Sequence, residues 1–219
     1  MSDQNKQKQI KTRIRVQKHG EVNTNIREVR SMLNLVQSES ERIDSRFLEP
    51  ACGDGNFISE ILQRKINSNI NKNKKNRSIF DANMIICFGS IYGIDLLIDN
   101  IEIAKERLIN VFFDNYQINI GNKPSDDLVN SIKHVMNKNI IHGDALTLKK
   151  VNSDEEIIFS EWSLFSGKIK RRDYIFKELV SYSPFEAGTL FSDLGDEVFI
   201  NKPIKDFNLC KYDLIYKYD

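Results

Sequence analysis

Cysteine and histidine are scarce in this sequence, and each scarcity excludes something. The three cysteines, Cys52, Cys87 and Cys210, are scattered, form no CxxC pair and are odd in number. That argues against a disulfide framework and fits a reducing compartment. The three histidines, His19, His134 and His142, make no ligand set, so no zinc or other metal site is readable. Neither sign of charge dominates: 32 basic residues face 31 acidic ones, for a net charge of +1. There is thus no global reason to bind nucleic acid, and any such case must be local. No apolar run approaches the roughly 20 residues needed to span a bilayer. The N-terminal "MSDQNKQKQIKTRIRVQK" has no apolar core of the signal-peptide kind. These absences lead to the expectation of a cytoplasmic protein without membrane or metal.

What remains is ordinary globular composition, 40% hydrophobic and 29% charged over 219 residues. That length suits one full α/β domain with little left over. Residues 1–18 read as a basic flexible tail, either solvated or a phosphate-contacting arm. Residues 19–150 read as a ligand-binding core. "TNIREVRSMLNLVQ" spaces Ile26, Val29, Leu33 and Val36 as a helix with Thr24 as N-cap. "SRFLEPAC", "SIYGIDL" and "NIIHGDAL" read as strands. "NFISEILQRKI", "FDANMIICFG", residues 98–116 and residues 125–136 read as helices, the last N-capped by Ser125; the second, a short apolar run, is compatible with a strand too, and helix is preferred because "SIYGIDL" then makes a clean strand. The Asn/Lys stretch 67–78 between the first two of these reads as a loop. Strands alternating with helices imply a parallel sheet with crossover helices. Residues 151–219 read as an extension of the same domain, with a β-hairpin turning near Ser166–Gly167.

The most informative stretch is "FLEPACGDGNF", residues 47–57. It follows a strand, where ligands of open parallel sheets bind. Gly53 and Gly55 permit a sharp turn and close approach of backbone to ligand. Pro50 stiffens the entry. A loop built for a pyrophosphate welcomes negative charge, but Glu49 and Asp54 oppose it. They suit a ligand that brings a cation and no phosphate, as S-adenosylmethionine does. Asp95, closing the second strand, can accept from both ribose hydroxyls. Asp144, closing the third, can accept from the adenine amino group.

"FLEPACGDGNF" resembles the first motif of adenine-specific DNA methyltransferases, the modification enzymes of restriction systems. "HGEVNT" (19–24) resembles the "GEVFTP" segment that precedes it in that family, with Asn25 where Pro is usual. "SIYGIDL" and "HGDAL" resemble the next two motifs. The resemblance covers roughly residues 18 to 147. It implies a Rossmann-like α/β sheet with helices on both faces, S-adenosylmethionine as cofactor and double-stranded DNA as partner. It also implies that Thr24, Glu49, Ala51, Cys52, Gly53, Asp54, Gly55 and Phe57 contact or shape the cofactor site. Pro50 stands at its entry, and Leu96 and Ala145 stand beside Asp95 and Asp144.

Members of that family that methylate an exocyclic amine carry Asn/Asp-Pro-Pro-Tyr/Phe after a fourth strand. This chain has no such tetrapeptide. Two stretches are candidates to replace it. In "FSEWS", Glu161 would accept from the amine and Trp162 would stack on the base. In "SYSPF", Ser183, Pro184 and Phe185 offer a Pro-aromatic pair. Structural readings stand beside both: Trp162 as a hairpin core aromatic, and Ser183–Phe185 as an anchored turn. Lys168, Lys170 and Arg172 share a strand face, which is either a phosphate track or a lysine-guarded solvated edge. The expectation is therefore a DNA adenine methyltransferase with a short target side. The alternative is a degenerate subunit that works with a partner or as a homodimer. An RNA or protein acceptor is a weaker third reading.

Overall fold

A computed structural model describes residues 24–181 and 202–218, and its first helix shows how short side chains set the element ends. Helix α1 (Ile26–Asn34) is capped by Asn25, whose Oδ1 accepts from the Arg27 N–H at 2.9 Å. The cap is therefore Asn25, not Thr24. The helix also stops short of Val36, which is 44% exposed, and a short α2 (Gln37–Glu41) follows.

Helix α3 (Asn56–Asn73) overruns the expected Asn/Lys loop. Ile58, Leu62, Ile66 and Ile70 are all buried, four residues apart. That row carries the helix through the polar composition around it. Asn69 is fully buried, and its side-chain amide donates to the Phe80 carbonyl at 3.0 Å. The loop shrinks to Lys74–Asn76, and Asn76 caps α4 (Arg77–Gly89) by accepting from the Ile79 N–H. Helix α4 is buried from Phe80 to Gly89 without a polar face, because it has neighbours on several sides: α3, α6 and the hairpin. Helices α5 (Ile98–Ile120) and α6 (Asp126–Asn139) follow, and Ser125 caps α6 through the Leu128 N–H.

Strands β1 (Phe47–Glu49), β2 (Ile91–Asp95) and β3 (Ile140–Asp144) are parallel in the order β1-β2-β3, and β4 (Lys149–Lys150) closes the sheet antiparallel to β3. Side chains alternate across it. Ile91 and Ile140 join the cluster formed by α1 and the four long helices α3–α6. Tyr92 and Ile94 face the other way, onto Ile157, Phe159 and Phe176. So the long helices gather on one face. The hairpin base and the short α7 (Phe176–Ser181) cover the other, so each face carries a helix but only one carries long ones.

The hairpin pairs β5 (Ile158–Phe165) with β6 (Lys168–Ile175), and its turn is Ser166–Gly167 at φ 50° and 77°. Two positive φ values suit the right-handed twist of the flanking strands. Strands β7 (Lys205–Asp206) and β8 (Cys210–Lys211) pair with the free side of β6. Gly89 makes room for this sheet against α4: a Cβ there would lie 2.7 Å from the Trp162 Cβ. No helix among the described residues is long and apolar enough to cross a membrane.

Candidate functional site

The parallel register places three carboxylates at one edge of the sheet. Glu49 lies level with Gly93, and Asp95 lies level with His142, two residues before Asp144. The glycine loop folds over this edge. The Cys52 N–H donates to the Ile94 carbonyl at 2.9 Å, and the Gly53 N–H donates to Asp95 Oδ2 at 2.9 Å. Gly53 and Gly55 take φ 53° and 88°, the left-handed region that side chains resist. At Gly55 a Cβ would also stand 3.0 Å from the Ala104 Cβ of α5.

Each acid has a distinct setting. Glu49 is held above the usual carboxylate range by burial, offset in part by the Ala51 N–H. Asp95 accepts from the Gly53 N–H, from the Leu97 N–H at 2.8 Å and from the Asn100 side-chain amide at 3.1 Å. Asp144 accepts from the Leu146 N–H at 2.9 Å, and that bond pulls its carboxyl below the ordinary value. Asp54 is paired with Arg107 of α5 at 3.0 Å. Burial, reinforced by the charge of Asp95, pushes the Cys52 thiol up to about 12, so it is packing rather than a nucleophile.

The expected cofactor residues from Glu49 to Gly55 thus meet Asp95, Leu96, Asp144 and Ala145 at one edge. Thr24 is tied to them through its carbonyl, which accepts from the Asn56 side chain at 3.2 Å. Phe57 packs against the helical core. His142 Nε2 donates to the Leu96 carbonyl at 2.9 Å, which joins the loops after β2 and β3 and fixes the proton on that nitrogen. Sequence reasoning missed Arg107, Asn56, Asn100 and Leu146. Leu146 is 93% exposed beside Asp144, and Leu96 is 51% exposed beside Asp95. The one available signal was an apolar residue in each strand-end loop.

Of the target-side candidates, Glu161 and Trp162 stand away from this edge. Glu161 is held by Arg46 at 2.8 Å. Arg46 precedes β1 and the glycine loop follows it, so their backbones stand about 10 Å apart at roughly 3.3 Å per residue. Trp162 points to the opposite face from Glu161, as strand alternation demands. It is 6% exposed, packed on Gly89 and His134, with the Arg171 guanidinium 5.5 Å from its ring. Ser183, Pro184 and Phe185 lie outside the described residues, as do residues 1–18.

Two of the three outward basic residues of β6 are committed internally. Lys168, Lys170 and Arg172 do share the outward face of β6. But Lys170 donates to the Phe207 carbonyl at 2.6 Å and pairs with Asp206, and Arg172 also pairs with Asp206 at 3.6 Å. Nor is β6 an edge, since β5 lies on one side and β7 and β8 on the other. Among the described residues no group of three or more His, Cys, Asp or Glu is placed to hold a metal ion. Comparison with protein-family models, curated proteins and solved structures finds no match to this chain.

Proposed function

We propose that the chain is an S-adenosylmethionine-dependent methyltransferase of the adenine-specific DNA class, built on a Rossmann-like cofactor half. One observation carries this reading. A loop with two left-handed glycines leaves the first of three parallel strands, and the three strands end in Glu49, Asp95 and Asp144. A pyrophosphate would meet those charges unfavourably, whereas a sulfonium and an ammonium would not.

A count of acceptors supports this reading. A carboxylate offers about four acceptor positions, and Asp95 uses three internally. The remaining position would accept from a ribose hydroxyl. Asp144 would accept from the adenine amino group, and Leu96 and Leu146 would supply exposed apolar surface for the ring. When bound, the cofactor supplies an activated methyl group. The chain's own residues hold and orient it, and orientation accounts for much of the rate in such a transfer. Double-stranded DNA as acceptor rests on the resemblance of residues 18–147.

A second reading is favoured by the Arg46–Glu161 pair at the far end of β1. On that reading the acceptor side is completed by a partner subunit or a second copy. Calorimetry with S-adenosylmethionine and S-adenosylhomocysteine tests the cofactor assignment. Absence of heat and of thermal stabilisation with both overturns it. Expression in a bacterial host without DNA methylation, followed by long-read sequencing, tests the acceptor. One short motif modified throughout supports a complete enzyme. An unmodified genome from cofactor-binding protein supports the partner reading.

A further inference from the structure

The glycine loop is gripped from outside by a single face of α5. Ala104 and Arg107 stand three residues apart, and so on one side of that helix. Ala104 is fully buried and lies under Gly55. Arg107 reaches over the residues on either side of that glycine. It donates to Asp54 Oδ2 at 3.0 Å and to Asn56 Oδ1. The Asn56 amide in turn donates to the Thr24 carbonyl, which ties in the chain entering α1. The Asp54 side chain is 13% exposed and that of Arg107 34%, so water screens this pair only in part. No basic side chain pairs in this way with Glu49 among the described residues.

We propose that Arg107 is the positioning residue of the glycine loop: it fixes the loop's shape by holding Asp54 and Asn56 together, leaving Glu49 to meet the cationic end of the cofactor. This rests on the cofactor reading above. It divides two acids that look equivalent in the sequence. Glu49 acts on the ligand, and Asp54 acts on the loop. A planar, two-pronged donor is what the geometry uses, since one guanidinium spans two acceptors on two residues.

The test compares wild type with R107A and R107K. Affinities for S-adenosylmethionine and S-adenosylhomocysteine are measured side by side. R107A is expected to weaken both about tenfold, the scale of one lost charge-assisted contact. R107K recovers only part of the affinity, because an ammonium lacks the two-pronged geometry. Unchanged affinities in R107A, or full recovery in R107K, overturn the proposal. Amide exchange at Gly53–Asn56 in the ligand-free protein gives a readout independent of the cofactor. Faster exchange in R107A supports the clamp, and wild-type protection overturns it. A wild type that binds neither ligand defeats the cofactor reading, and the exchange result still decides the clamp.

Discussion

Replacing Lys65 with methionine asks how the chain is delivered into β1. Lys65 of α3 is fully buried, and its ammonium donates to the carbonyls of Arg42, Ile43 and Ser45 at 2.8, 3.3 and 2.6 Å. These residues directly precede the strand that leads to the glycine loop. Two of the carbonyls have a second donor: Arg42 O takes the Ser45 N–H, and Ile43 O takes the Ser90 hydroxyl. Ser45 O depends on Lys65 alone among the described residues. Lys65→Met loses three charge-assisted bonds, about 5 kcal/mol in total. It regains the cost of burying the charge. Burial lowers the amine from 10.5 to about 8, a penalty of roughly 3 kcal/mol. The expected net loss at pH 7 is about 2 kcal/mol. Trp162, the single tryptophan, is buried and reports urea unfolding by fluorescence. The sign with pH follows from linkage. Between pH 8 and 10.5 the unfolded chain keeps the Lys65 proton and the folded chain sheds it. Wild-type stability therefore rises through that window relative to K65M. An unfolding midpoint equal to wild type at pH 7 would refute the bond count. A gap that narrows above pH 8 would show that the carbonyls, not burial, govern the amine.

Three further outcomes are expected. Gly55→Ala, forced to φ +88° with its Cβ 3.0 Å from Ala104, should lose about 1–2 kcal/mol of stability and, on the proposed function, most affinity for S-adenosylhomocysteine; urea unfolding and calorimetry check the two. Gly89→Ala places a Cβ 2.7 Å from that of Trp162 and should cost about 1–3 kcal/mol with a red-shifted tryptophan emission, and an unchanged spectrum would count against the packing described. Glu161→Gln weakens a pair whose arginine side chain is 64% exposed, so stability should change by under about 1 kcal/mol. Its cofactor affinity should stay within about twofold of wild type; a tenfold loss would place Glu161 at the cofactor edge after all.

Much of the architecture was legible because periodicity and caps act locally. Ser125 as N-cap, the turn at Ser166–Gly167 and the three parallel strands all follow from spacing and residue type. The 67–78 stretch misled because asparagine and lysine dominate its composition. The i, i+4 row running from Ile58 to Ile70 overrode them once α4 was there to cover it. The acid at each strand end was visible as a motif. The long-range partners were not, because Gly53 reaches Asp95 across 42 residues and Arg107 reaches Asp54 across 53.

The sequence by itself determined which residues are chemically equipped for a site: the glycines that bear positive φ, and the acids that close three strands. Those properties belong to single residues and their immediate neighbours. Only the tertiary structure decided what each acid does. Packing α5 against the loop gave Asp54 to Arg107, and parallel pairing brought Asp95 under Gly53. Strand alternation then sent Trp162 into the core and left Glu161 on Arg46. Charge and hydrogen bonding act through space, so their assignments were fixed when the chain folded and not before.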